Sequence, residues 1–259
     1  MSAETQIKTD SGPGAHGGSP VAVVAAITQR ELAAFFFSPI AYVVGFVFLA
    51  LTGYFFLSET LTPGSEASLR SLFERMAGVL VFALPLLTMR SIAEDYASGT
   101  IETMMTAPVS DASVVLGKFF GAWIFYAVLL ATTLMHLIVL AWYSHPVGTV
   151  VLIGYLGMLL VGGLFLAVGI FASSCTRHQL LAAMISVAIL AVFTFVVDYG
   201  SEFAGYAWAR RVCANMNILW HFADFAKGIV DTKTVIFFAS GICFFLFLAT
   251  KVMESRRWR

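Results

Sequence analysis

Chemistry in this chain would have to come from very few side chains. His136 lies in a run, residues 119–176, that contains no Asp, Glu, Lys or Arg. An ionisable group at that depth is a functional candidate by default. The simpler expectation is a neutral imidazole bonded to a helix carbonyl or to Thr132 or Thr133. His221 and Asp224 stand three residues apart and could share a helix face, but no third ligand follows, so no metal site is expected. Cys175, Cys213 and Cys243 are widely separated and match no zinc spacing. They are expected to be free thiols serving as small apolar residues. No Ser/His pair, acidic dyad or His cluster recurs at one depth, which argues against an intramembrane enzyme. The phosphate-binding pattern G-x-x-x-x-G-K-[ST] does not occur, so the chain is expected to bind no nucleotide itself.

The composition says what kind of molecule carries these residues. The chain has 259 residues, 59% of them hydrophobic and only 12% charged, with a mean hydropathy of +0.88. Soluble domains carry about 25% charged residues. Half that share points to a polytopic membrane protein, expected to be all-α and to lie in the cell inner (cytoplasmic) membrane. The formal net charge is zero, so no global field recruits nucleic acid. Residues 1–20 are rich in Ser, Thr, Gly and Pro, and are expected to form a disordered tail. Residues 21–259 are expected to form one membrane domain. Val21–Ile27 is too short for the apolar core of a secretory signal and soon meets Arg30 and Glu31.

Residues 21–34 read as a short helix lying in the membrane interface. Pro39 disfavours helical geometry at Ser38 and predicts a break before the first span. Six spans are expected, at about 39–57, 74–89, 119–142, 150–173, 179–198 and 234–251. Glu74 and Arg75 belong at an interface, and Pro85 predicts a kink near the inner end of span two. The segment Ser144-His145-Pro146-Val147-Gly148 supplies the turn between spans three and four. Residues 216–229 read as an outer amphipathic helix with Leu219, Phe222, Phe225 and Ala226 against the bilayer. Gly117 and Gly121 form G-x-x-x-G, which permits close helix approach in the bundle or across a dimer. Trp123, Trp142, Trp208, Trp220 and Trp258 are expected near the interfaces.

Orientation follows from Lys and Arg near the span ends. Lys8, Arg30, Arg90, Lys118, Arg177, Lys251, Arg256, Arg257 and Arg259 fall on one side. Arg70, Arg75, Arg210, Arg211, Lys227 and Lys233 fall on the other. The first side is expected to be cytoplasmic and to hold both termini.

Between spans two and three the chain turns polar, from Met89 to Lys118. At helical period over 91–106, Ile92, Tyr96, Ala97, Ile101, Met104 and Met105 gather on one side. Ser91, Glu94, Asp95, Ser98 and Glu102 gather on the other. A helix that merely adheres to lipid carries Lys and Arg on its polar face. This one carries acids, which favours a basic or polar protein partner. Ala107-Pro108 ends it, and Ser110-Asp111 resembles a cap for the next helix.

The run Pro85-Leu-Leu-Thr-Met-Arg90-Ser-Ile-Ala-Glu94-Asp95, then Gly99-Thr100-Ile101-Glu102, Ala107-Pro108-Val109-Ser110 and Gly117-Lys118, resembles the type-2 ABC transporter permeases. In particular it resembles the permease subunit associated with gliding motility. Arg30-Glu31-Leu32, Ser38-Pro39-Ile40-Ala41-Tyr42, Gly53-Tyr54-Phe55-Phe56, Tyr155-Leu156-Gly157, Ser173 to Gln179 and His221 to Ile229 extend the likeness over about residues 25–259. It departs at Asp95-Tyr96, where the family pattern has a second Glu and a basic residue. The resemblance implies the membrane subunit of an ATP-driven transporter, an exporter. A separate ABC ATPase subunit would carry ATP and Mg²⁺ and dock on a cytoplasmic coupling helix. That helix would be 91–106, with Ile92, Glu94, Asp95, Tyr96, Thr100, Ile101 and Glu102 as its docking residues, and 21–34 would be the interfacial elbow helix. A second permease subunit, the same chain or a different one, would complete the unit in the lipid bilayer. The alternative is a secondary transporter driven by an ion gradient, for which only His136 offers a mid-membrane ionisable group.

Overall fold

The computed structural model describes residues 19–60, 69–99, 110–143, 148–197, 199, 206, 208 and 215–257. Residues 1–18, 61–68, positions 100–109 of the polar segment, the expected turn at 144–147, most of 198–214 and residues 258–259 lie outside the described residues, and with them Thr100, Ile101, Glu102, Met104, Met105, Cys213 and Trp258. The described chain is helical throughout. Its elements are α1 (Pro20–Phe37), α2 (Pro39–Phe55), α3 (Arg70–Thr88), α4 (Ala93–Ala97), α5 (Asp111–Thr132), α6 (Leu134–Tyr143), α7 (Gly148–Cys175), α8 (Gln179–Ala191), α9 (Ile218–Ala226) and α10 (Thr232–Arg257). Helices α2 and α8 each run on into one π-helical turn, Phe56–Thr60 and Val192–Val196.

Among the described residues seven helices are long and apolar enough to cross a membrane, where six spans were expected. The additional one is α1. Its 18 residues run from a Ser19 cap, whose hydroxyl accepts from Ala22 N–H, to Ser38. Ser38 is extended at ψ 120°, and Pro39 then opens α2, so the break expected at Ser38 is present. Helix α1 does not lie apart from the bundle as a surface helix. A Cβ on Gly117 would come within 2.6 Å of Ile27, and one on Gly121 within 2.8 Å of the Glu31 Cβ. Phe35 stacks on Phe125 at 5.2 Å. These contacts advance four residues at a time on both helices, so α1 runs alongside the first half of α5 in the same direction. The G-x-x-x-G pair therefore serves packing within the subunit. Thr28 Oγ1 seals this approach by donating to the Gly117 carbonyl at 3.2 Å. Farther along, α2 continues beside the same partner, with Gly45 against Leu129 and Gly53 facing His136.

The expected third span begins earlier than residue 119 and is interrupted. Helix α5 starts at Asp111, with Ser110 Oγ accepting from Ser113 N–H. It stops at Thr133, where the hydroxyls of Thr132 and Thr133 bond the carbonyls of Leu129 and Leu130, each at 2.6 Å. Hydroxyls that return to carbonyls of their own helix compete with the regular ladder. Helix α6 resumes the path. At the opposite end of α3, Arg75 pairs with Glu59 at 2.9 Å and Arg70 with Glu74 at 3.2 Å, the surface setting expected for Glu74 and Arg75.

Helix α7 is the axis of the bundle, packed by α3, α5, α8, α9 and α10. Its glycines admit large neighbours. A Cβ at Gly162 would meet the Tyr126 ring at 2.1 Å, and one at Gly157 the Phe225 side chain at 2.6 Å. Tyr126 is fully buried and donates to the Met158 carbonyl at 2.8 Å. Trp123, expected at an interface, instead lies within the bundle, its Nε1 donating to the Leu159 carbonyl at 3.2 Å.

Helix α9 also departs from expectation. Phe222, Phe225 and Ala226 are fully buried, against α7 and α3 rather than lipid. Phe225 rests on Gly157, nine residues into α7, which is about 13 Å along that helix. Asn217 is buried and caps α9, accepting from Leu219 and Trp220 N–H. A nine-residue helix spans only about 14 Å and cannot cross a bilayer, so α9 is a short helix packed on the bundle and not a span.

Candidate functional site at the α4 junction

The polar segment after α3 does not form the uninterrupted helix expected over 91–106. Helix α4 is five residues long and ends with Ser98 N–H bonding the Glu94 carbonyl. Gly99 follows at φ +74°, a left-handed conformation that terminates helices and that glycine adopts at little cost. Two assignments of face also change. Ser91, expected on the watery side, is buried at 8% exposure. Ala97, expected on the apolar side, is exposed.

The reason is that α4 is held by side chains from distant helices. Ile92 at its start offers no side-chain cap. Ser173 of α7 supplies one instead, its Oγ accepting from Ile92 N–H at 3.0 Å and Ala93 N–H at 2.9 Å. The same hydroxyl donates to the Met89 carbonyl at 3.2 Å. One buried serine thus fastens the α3–α4 turn to the end of the central helix.

The second tie is ionic. Lys118 of α5 is only 2% exposed. Its Nζ donates to Glu31 Oε1 of α1 at 2.8 Å, lies 2.8 Å from Asp95 Oδ2 of α4, and donates to the Ser91 carbonyl. An ammonium has three N–H donors, and three acceptors surround it. Glu31 also takes Arg30 at 2.9 Å, so two cations and two carboxylates balance. A buried cation is tolerated only when paired and hydrogen-bonded in this way.

The third tie comes from α10. The Arg256 guanidinium sits 4.8 Å from the Tyr96 ring centroid and also donates to the Cys175 carbonyl. A cation over an aromatic face is attracted by the ring quadrupole. Asp95 and Tyr96 thus each meet a cation from a distant helix, Lys118 and Arg256. Glu94 is engaged more loosely. It forms a forked pair with Arg90 at 2.8 and 2.9 Å while its side chain stays 45% exposed.

Of the expected docking residues, Ile92 is buried, Asp95 and Tyr96 are half-buried, and Glu94 presents its carboxylate to solvent. Sequence reasoning attached no role to Ser173, and none of pairing to Lys118, Glu31 or Arg256. The only local signal was Lys118 itself, an isolated charge opening a long apolar run.

The remaining candidates are structural. His136 Nδ1 lies 3.0 Å from the Thr133 carbonyl, and its ring meets Phe56 edge-on at 5.0 Å. His221 stacks on Phe237 at 4.3 Å, while Asp224 pairs with Lys227. Among the described residues no cluster of His, Cys, Asp and Glu could hold a metal ion.

A protein-family model described as ABC-2 family transporter protein matches residues 19–226, well over half of the chain. The chain belongs to this family. It is therefore a multi-pass ABC-2 permease component, a non-catalytic membrane subunit, and the family in general works with an ATPase partner. Comparison with curated proteins gives no match. Helix α4 is tied to α5, α7 and α10 at once, and through Lys118 to α1.

Proposed function

We propose that this chain is the permease subunit of an ATP-driven exporter and that the α3–α5 connection, with α4 at its head, receives a separate ABC ATPase that carries ATP and Mg²⁺. The observation that supports it best is the convergence on α4 of Ser173, Lys118 and Arg256 from three different membrane helices. A load applied at α4 reaches each of them directly. In this reading Glu94 and Glu102 form the acidic contact surface, with Thr100 and Ile101 between them, while Ile92, Asp95 and Tyr96 anchor α4 from within. Helix α1 takes the place of the family's elbow helix. The cytoplasmic side is the end of the bundle that holds α4, a second permease subunit completes the transporter, and the chain is of the gliding-motility type that its sequence resembles.

A complex purified from the native host retains an ATPase subunit, and Glu94→Lys or Glu102→Lys weakens that retention. Removing one charge-assisted hydrogen bond at this surface lowers affinity about tenfold. A stable, transport-competent protein that never associates with an ATPase overturns the assignment. Sidedness has its own test. An impermeant thiol reagent labels Cys213 in intact cells and Cys175 only after lysis. The reverse pattern places α4 outside and removes the docking surface from the cytoplasm.

A further inference from the structure

A cavity of about 510 Å³ opens beside the α4 junction, between α1, the Ser38-Pro39 corner and the α3–α4 turn. Its lining includes the charged groups Arg30, Glu31, Arg90, Glu94, Asp95 and Lys118. On α1 and α3, and at the corner between α1 and α2, an apolar rim is built from Phe37, Leu86, Pro39 and Ile40. Phe37 is 87% and Leu86 40% exposed, although both belong to helices of a membrane protein.

Charge decides what would fill this space. Lys118 and Arg30 are balanced by Glu31 and Asp95, and Arg90 by Glu94. The wall is neutral in sum but presents both signs at its surface. Arg30 and Arg90 each keep N–H donors beyond those given to Glu31 and Glu94, and a guanidinium holds five. Such donors suit phosphate oxygens. The half-exposed Glu94 carboxylate suits an ammonium group. A ligand bearing one phosphate and one ammonium satisfies both without net charge, whereas a singly anionic ligand leaves Glu94 facing its negative end.

We propose that this cavity is a binding site for a zwitterionic phospholipid with a primary-amine headgroup, its phosphate on Arg30 and Arg90, its ammonium on Glu94 and its acyl chains along Phe37, Ile40 and Leu86. The apolar rim selects the lipid over the free headgroup compound. The site rests on the geometry of the cavity and not on the docking of an ATPase, although both readings use Glu94.

The test is native mass spectrometry of the full chain in detergent, titrated separately with phosphatidylethanolamine, phosphatidylglycerol and free phosphoethanolamine. Phosphatidylethanolamine is retained over phosphatidylglycerol. Arg30→Gln combined with Arg90→Gln reduces its retention about tenfold, the factor equivalent to one charge-assisted hydrogen bond. Ala34→Trp, at an exposed position on the cavity wall, fills the space without touching a charge and reduces retention alike. Equal retention of both lipids by every variant means annular lipid only and overturns the proposal. Preference for phosphatidylglycerol overturns the charge argument, and binding of phosphoethanolamine as tight as the lipid overturns the role of the apolar rim.

Discussion

Replacing Lys118 by Met is expected to destabilise the protein by about 3–5 kcal/mol, the range found when one partner of a buried ion pair is removed. Methionine matches the length of the lysine stem, so the loss is not one of packing. It arises because Asp95, 20% exposed, and Glu31, 12% exposed, lose a cation that water replaces poorly. Arg30 still serves Glu31, so the larger change falls on Asp95, which loses its contact with the Lys118 ammonium. The double variant Lys118→Met/Asp95→Leu should recover much of the stability, since an apolar replacement of a whole buried pair is close to neutral. Thermal unfolding of the full chain in detergent reads both. A single variant as stable as the parent, or a double variant no better than the single, removes the pairing as the cause.

Ser173→Ala is expected to cost several times more than Ser174→Ala, although both residues are fully buried. The Ser174 hydroxyl donates to the Phe171 carbonyl of its own helix, at 2.7 Å, and that carbonyl keeps its place in the helix without it. The Ser173 hydroxyl satisfies two amides, Ile92 and Ala93, that have no other cap. A buried donor left without a partner costs about 1–3 kcal/mol. Hydrogen exchange should locate the damage, with the Ile92 and Ala93 amides opening in Ser173→Ala and staying protected in Ser174→Ala. Equal protection in the two variants would show that the cap does not hold α4.

The legible and illegible parts of this protein divide along one line. Features set by the local chain could be read directly. Pro39 forbids helix at Ser38, Ser110 caps the helix that follows, and charge-free runs mark the spans. Features set by partners far away could not. Period placed Ser91 and Ala97 on the wrong faces because α7 approaches α4 from its amino end and takes Ser91 inward. It found the apolar stripe of α9, but Phe222 and Phe225 look the same in sequence whether they meet lipid or Gly157. It marked Lys118 as the edge of a span because Glu31 and Asp95 lie 87 and 23 positions away. The length of α1 was underestimated because Arg30 and Glu31 read as a watery end, whereas Glu31 is neutralised from α5.

The parallel course of α1 and α2 along α5 decides how the crossings add up. Two successive helices that advance in one direction make a single traverse with a step at Ser38-Pro39, although each has span length. Reversals occur between α2 and α3, between α3 and α5, between α6 and α7, between α7 and α8, and between α8 and α10. The traverses therefore form an even set despite an odd number of span-length helices. Pro20, beside the start of α5, and Arg256, bonded to the last carbonyl of α7, emerge at the same end of the bundle as α4.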